Sequence, residues 1–147
     1  MSIEDCPGCT SLLARVHELE HRPPIRNRLP DERVGRTKRI HLQHVGGDLK
    51  IYVQSGERAD GSLAEIFMKA DRCGSTISGL LDALSITASV ALQYGAPVET
   101  LIDKWSRMRF EPSGLTADSE IRAVTSIVDA IARWLQIRYV KKEGQDV

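Results

Sequence analysis

Gly74-Ser75-Thr76-Ile77-Ser78-Gly79-Leu80-Leu81-Asp82-Ala83-Leu84-Ser85-Ile86-Thr87-Ala88-Ser89-Val90-Ala91-Leu92-Gln93-Tyr94-Gly95-Ala96-Pro97 is the stretch around which the rest of this chain is arranged. Its apolar residues at Ile77, Leu80, Leu81, Leu84, Ala88, Ala91 and Leu92 recur as one helical face. The opposite face carries Ser78, Asp82, Ser85, Ser89 and Gln93. Asp82 is the only charge from Gly74 to Val98, so the helix is expected to meet little water on either side. Gly79, Ala83 and Val90 form a narrow stripe that a strand or second helix could approach closely. Ser75 or Thr76 caps the first turn, because a hydroxyl accepts from backbone N–H groups that lack a helical partner. Gly95 and Pro97 end the helix, the first by tolerating a left-handed conformation and the second by interrupting the ladder.

Working outward, the segments before this helix alternate as strands. The first is expected over 39–45, with Ile40 and Leu42 on one side and His41 and Gln43 outward. After the turn signal Gly46-Gly47-Asp48, Leu49, Ile51 and Val53 share a face of a second strand over 49–54. After Ala59-Asp60-Gly61, a third strand over 63–70 sets Ile66 and Met68 against Glu65, Phe67 and Lys69. Cys73 is read as a small buried residue, because no general base stands beside it.

Beyond the central helix, 98–108 supplies a shorter one with Val98, Leu101, Ile102 and Trp105 on its apolar side. A Pro/Gly-rich loop over 107–114 follows. Asp118 is then expected to cap a last helix whose apolar face runs through Ile121, Val124, Ile127, Val128, Ile131, Leu135 and Tyr139. The expected class is α+β: a three-stranded antiparallel sheet followed by three helices packed on one face, preceded by a Cys-x-x-Cys arm and a basic strap. Residues 1–25 form the arm, 26–140 the α+β domain, and 141–147 a frayed tail.

The arm brings Cys6, Cys9, His17 and His21 within sixteen residues, the histidines one turn apart on a helix expected over 10–21. Two thiols in a knuckle and two imidazoles one turn apart are ligands that zinc accepts in a tetrahedron, so these four are the candidate metal site. The seven-residue gap between Cys9 and His17 is short for a zinc finger, and a reduced cysteine pair beside two solvated histidines is the alternative. In the strap, Arg22, Arg26, Arg28, Arg33, Arg36, Lys38 and Arg39 stand against Asp31 and Glu32. This is the one basic segment of the chain, and it is expected to lie ordered over the domain. It has no interleaved aromatic residue, so it offers no stacking for bases.

Composition narrows the function classes. The chain has 147 residues, 41% hydrophobic and 27% charged, with a formal net charge of zero, so nothing global draws it to nucleic acid or an anionic membrane. No apolar run approaches the roughly 20 residues of a membrane helix. The acidic start and the odd count of three cysteines suit a reducing cytoplasm. No Ser/His/Asp or paired-carboxylate constellation is recognisable, so no catalytic residue is assigned. A ligand site is expected at the start of the central helix, where Ser75 and Thr76 offer hydroxyls and free N–H groups, with Lys69 before them and Arg107 and Arg109 in a loop over the same end.

Several motifs also occur in a telling order: Arg28-Leu29-Pro30 with Arg33 and Thr37; Asp60-Gly61 before Glu65-Ile66-Phe67; Gly74-Ser75-Thr76 with Gly79-Leu80-Leu81-Asp82-Ala83; Leu92-Gln93-Tyr94-Gly95-Ala96-Pro97-Val98-Glu99; and Arg109-Phe110-Glu111-Pro112-Ser113-Gly114. Together, over Arg26 to Tyr139, they resemble the TSCPD domain, the C-terminal module of adenosylcobalamin-dependent (class II) ribonucleotide reductases. The resemblance implies the domain's fold and a link to ribonucleoside-diphosphate reduction, with a reductase large chain as partner. It does not imply catalysis by this chain alone. The family's radical-bearing barrel, cobalamin site and paired redox cysteines exceed this length, so adenosylcobalamin is not expected to bind here. The implied function is an accessory or regulatory module; the alternative is a free-standing, homodimeric binder of a nucleotide or nucleotide signal.

Overall fold

Alternation in three neighbouring segments builds the sheet. The computed structural model describes residues 7–71 and 74–140. In it, β1 (Thr37–His44), β2 (Gly47–Glu57) and β3 (Leu63–Ala70) form an antiparallel meander. The β1–β2 hairpin pairs His44 with Gly47, whose φ of 118° needs glycine at the turn. Ile40, Leu42, Leu49, Ile51, Val53, Ile66 and Met68 point to one face and are all buried. Burying such a side chain is worth about 1.5–3 kcal/mol. A net hydrogen bond gives about 1 kcal/mol, so the apolar face fixes the strand orientation.

The sheet is wider than expected. β4 (Gly114–Thr116) pairs with β1, and β5 (Ala123–Val124) pairs with β4, giving the order β3-β2-β1-β4-β5, antiparallel throughout. Gly114 permits the close approach: a Cβ there would lie 2.1 Å from the Gln43 carbonyl oxygen. This hairpin occupies sequence expected to be helical, since the spacing of Ile121, Val124 and Ile127 imitates a helix. Asp118 caps no helix. It pairs with Lys38 of β1 and accepts from the Glu120 N–H at 2.9 Å in the β4–β5 turn. The last helix begins at Ile127, where Ser126 is the cap and accepts from the Asp129 N–H at 3.0 Å.

Among the described residues there are four helices: α1 (Pro7–Glu20), α2 (Thr76–Gln93), α3 (Val98–Trp105) and α4 (Ile127–Tyr139). Ile102 and Trp105 of α3 and Ile127, Ile131, Trp134 and Leu135 of α4 join the sheet's buried face in one core. α3 stops three residues short of the expected end, where Arg107 takes a φ of 62°.

α2 occupies the expected stretch and is capped by Ser75, one of the two hydroxyls expected there, but its faces are used differently. Ser78, Ser85, Ser89 and Gln93 are buried together with Leu81, Ala88 and Leu92, while Leu80 and Ile86 are 66% and 67% exposed. The polar side lies against the free edge of β3. Ser85 Oγ accepts from the Met68 N–H at 2.8 Å; Ser89 Oγ accepts from the Ile66 N–H at 3.0 Å and donates to its carbonyl at 3.1 Å. The helix thus supplies the partners that an edge strand lacks. α2 is long and apolar enough to cross a membrane by composition, with mean hydropathy 1.3, but these buried serines tie it to the sheet.

The basic strap is ordered, as expected. Asn27 N–H donates to the Gln93 carbonyl at 2.9 Å, and Arg26 Nε to Gln93 Oε1 at 2.7 Å. Arg33 pairs with Glu65 at 2.8 Å. The carbonyls of Val34 and Arg36 accept from Glu57 and Ser55, prolonging the β1–β2 ladder. Gly35 is required there, because a Cβ would sit 1.9 Å from the Ser55 carbonyl oxygen.

Candidate functional site

The five side chains expected to meet at the start of α2 are spread over four places. Ser75 caps the helix and accepts from the Ser78 N–H at 3.2 Å. It lines a cavity of about 360 Å³ with His44, Asp48, Leu49, Glu111 and Pro112. The loop after α3 therefore does fold over this end of α2. It presents Glu111 rather than an arginine, and a carboxylate is what a helix N-terminus favours. Thr76 is exposed beside Ser75. Lys69 turns to Asp82 of α2. Arg109 lies in a shallow recess with Phe110, Glu111, Ser113, Val124 and Thr125.

Arg107 belongs to a separate cleft of about 420 Å³ between α3 and α4, with Glu99, Asp103, Asp129, Arg133 and Gln136 on its walls. Asp129 organises it. This carboxylate is fully buried and accepts from the Arg107 N–H at 2.7 Å and the Thr125 N–H at 3.2 Å, with Arg133 3.0 Å away. The first of these bonds holds Arg107 in its left-handed conformation, which is uncommon outside glycine. Asp129 is saturated, so it positions its neighbours. The cleft offers arginine and carboxylate groups together, suited to a ligand with acceptors and donors. The sequence carried the signal for this cluster: Ser126-Ile127-Val128-Asp129 is a capping-box pattern, and Asp129 and Arg133 stand four apart on one helix face.

On the arm, α1 begins at Pro7 rather than Thr10 and draws Cys9 into its first turn. His17 and His21 stack with ring centroids 4.0 Å apart, and His21 Nδ1 lies 2.8 Å from the His17 carbonyl oxygen. Cys9 and His17 are eight residues, about 12 Å, apart along the helix axis. A metal shared by them requires the first turn to open. Among the described residues no three His, Cys, Asp or Glu side chains group around a common point. Cys6, Cys73 and the tail from 141 lie outside the described residues.

Residues 22–139 match the TSCPD domain family. The chain is 40% identical over 134 residues to a vitamin B12-dependent ribonucleotide reductase of Streptantibioticus cattleyicolor, covering 91% of this chain and 22% of that protein. Enzymes of the same name from Streptomyces coelicolor and Rhodopirellula baltica are 42% and 40% identical over 125 and 117 residues, or 85% and 80% of this chain. The match takes up only 12% and 11% of those two proteins, so the chain spans about a tenth to a fifth of these relatives. No solved structure matches it significantly.

Proposed function

Because this chain belongs to the TSCPD domain family, we propose that it serves as an accessory, regulatory module of a vitamin B12-dependent ribonucleotide reductase and does no radical chemistry of its own. The observation that carries this reading is the asymmetry of coverage: 80–91% of this chain corresponds to 11–22% of the three enzymes named above. The remainder of such an enzyme has room for chemistry that this segment lacks. The cavity at the start of α2 and the cleft between α3 and α4, about 360 and 420 Å³, are of the size that takes drug-sized ligands. The outward face of α2, with Leu80, Ala83 and Ile86 exposed and no charge but Asp82, is the surface we assign to the reductase.

The test uses the Streptomyces coelicolor reductase trimmed of the segment that this chain matches. The isolated chain forms no deoxynucleotide with adenosylcobalamin and a reductant. Added in trans at saturation, it changes the trimmed enzyme's kcat or KM at least about twofold, the scale of a coupling near 0.4 kcal/mol. Turnover by the chain alone, or an unchanged trimmed enzyme, overturns the reading.

A further inference from the structure

The sheet face turned away from the helices carries a pattern that strand pairing alone brings together. Tyr52, on the second strand of the meander, stands opposite Arg39 on one side and Lys69 on the other. Lys50 and Gln54 flank it along its own strand, and Phe67, paired with Gln54, lies on the diagonal. Tyr52 and Phe67 are 39% and 41% exposed, two of only seven aromatic residues in the chain. The same face also carries Thr37, opposite Gln54, His41, opposite Lys50, Gln43, opposite Asp48, and the exposed Leu115 of β4, opposite Gln43.

We propose that this open face binds single-stranded nucleic acid, with Tyr52 and Phe67 as stacking platforms and Arg39, Lys50 and Lys69 on the phosphates. Every base has a π-face, so aromatic side chains on an open sheet take bases without regard to sequence, provided that cations track the backbone between them. The charges fit that use. Arg39 and Lys50 have no ion-pair partner among the described residues. Of the nearby carboxylates, Asp48 is held by His41 at 2.9 Å and Asp82 by Lys69, an exposed pair that a phosphate can replace. Asp71 stands at the rim, where its N–H donates to the Lys50 carbonyl at 3.0 Å. Glu65, at the far end, is taken by Arg33 of the strap, which closes that end. A flat face gives a free nucleotide one stacked side and little enclosure, whereas small ligands favour concave sites. A strand repeats the stack from Tyr52 to Phe67, so the occupant is a polymer. The inference goes beyond the reductase reading and is tested on this chain alone.

Fluorescence anisotropy of a labelled oligothymidylate, titrated with the full chain, decides it. Binding is saturable, and Tyr52→Ala and Phe67→Ala each weaken it about tenfold, while Tyr52→Phe keeps it. Three phosphate contacts give a log–log salt slope of about −2, and Lys50→Gln makes it shallower by about 0.7. A duplex of the same length binds more weakly, because its bases are already stacked. Thermal melting verifies that each variant is folded. Absence of saturable binding, or binding that both alanine variants leave unchanged, overturns the proposal. So does a face that binds no oligonucleotide but loses a reductase partner when Tyr52 and Phe67 are removed, which marks it as a protein-docking surface.

Discussion

At the scale of single residues, Tyr139 shows how the end of the last helix is latched to the sheet. Its hydroxyl lies 2.6 Å from Ser55 Oγ and 2.7 Å from Glu57 Oε1, and Glu57 is also held by Arg36 at 3.1 Å. Burial pushes its pKa up to about 12; the Ser55 hydroxyl opposes that shift and the Glu57 carboxylate adds to it. The unfolded value is about 10, so the folded state holds the proton more tightly. The stabilisation is therefore complete below pH of about 10 and is lost as pH rises through the folded value. Tyr139→Phe is expected to cost about 1 kcal/mol at neutral pH in urea unfolding, and the gap to the wild type should close at strongly alkaline pH. A constant gap across the alkaline range would show that the hydroxyl does not make this latch. Residues of this kind differ in how plainly the sequence announces them. Ser75 was legible as a cap because a cap is a local event. Asp118 looked equally like one, and only the pairing of β1 with β4 shows that its partner is Lys38.

Among the elements, α2 shows where periodicity stops being informative. Its bounds, cap and glycine stop follow from local rules and appear as expected. The assignment of faces does not, because a serine row reads as a solvated side until an unpaired strand edge is set against it. β3 is that edge. Ser85→Ala or Ser89→Ala leaves a buried Met68 or Ile66 N–H without its partner and should cost about 1–3 kcal/mol each in thermal or urea unfolding. Thr87→Ala, on the exposed side of the same helix, should stay within about 0.5 kcal/mol. Equal effects at all three positions would contradict the edge-covering role. The β4–β5 hairpin was missed for a related reason: two strands of three and two residues leave too short a pattern to separate from a helical one.

For the molecule as a whole, the order of motifs along the chain identified the family, and the meander and central helix were legible. The fourth and fifth strands and the distribution of the site were not. Lys69, Ser75, Thr76, Arg107 and Arg109 are near one another in the reading of the sequence, yet Asp82, Asp129 and the fold of the 107–114 loop send them to different places. The outer sheet face was invisible for the converse reason: Arg39, Tyr52 and Phe67 come from three strands and meet only through register. What unites these features is a domain whose core is complete while the α2 face at Leu80 and Ile86, like the apolar side of α1, remains uncovered. The most direct measurement is sedimentation velocity of this chain mixed with the Streptomyces coelicolor reductase lacking its matching segment. Co-sedimentation as a saturable complex, abolished by Leu80→Glu with Ile86→Glu in a chain that stays folded, is the predicted result. Two species that sediment independently at every ratio would contradict the account.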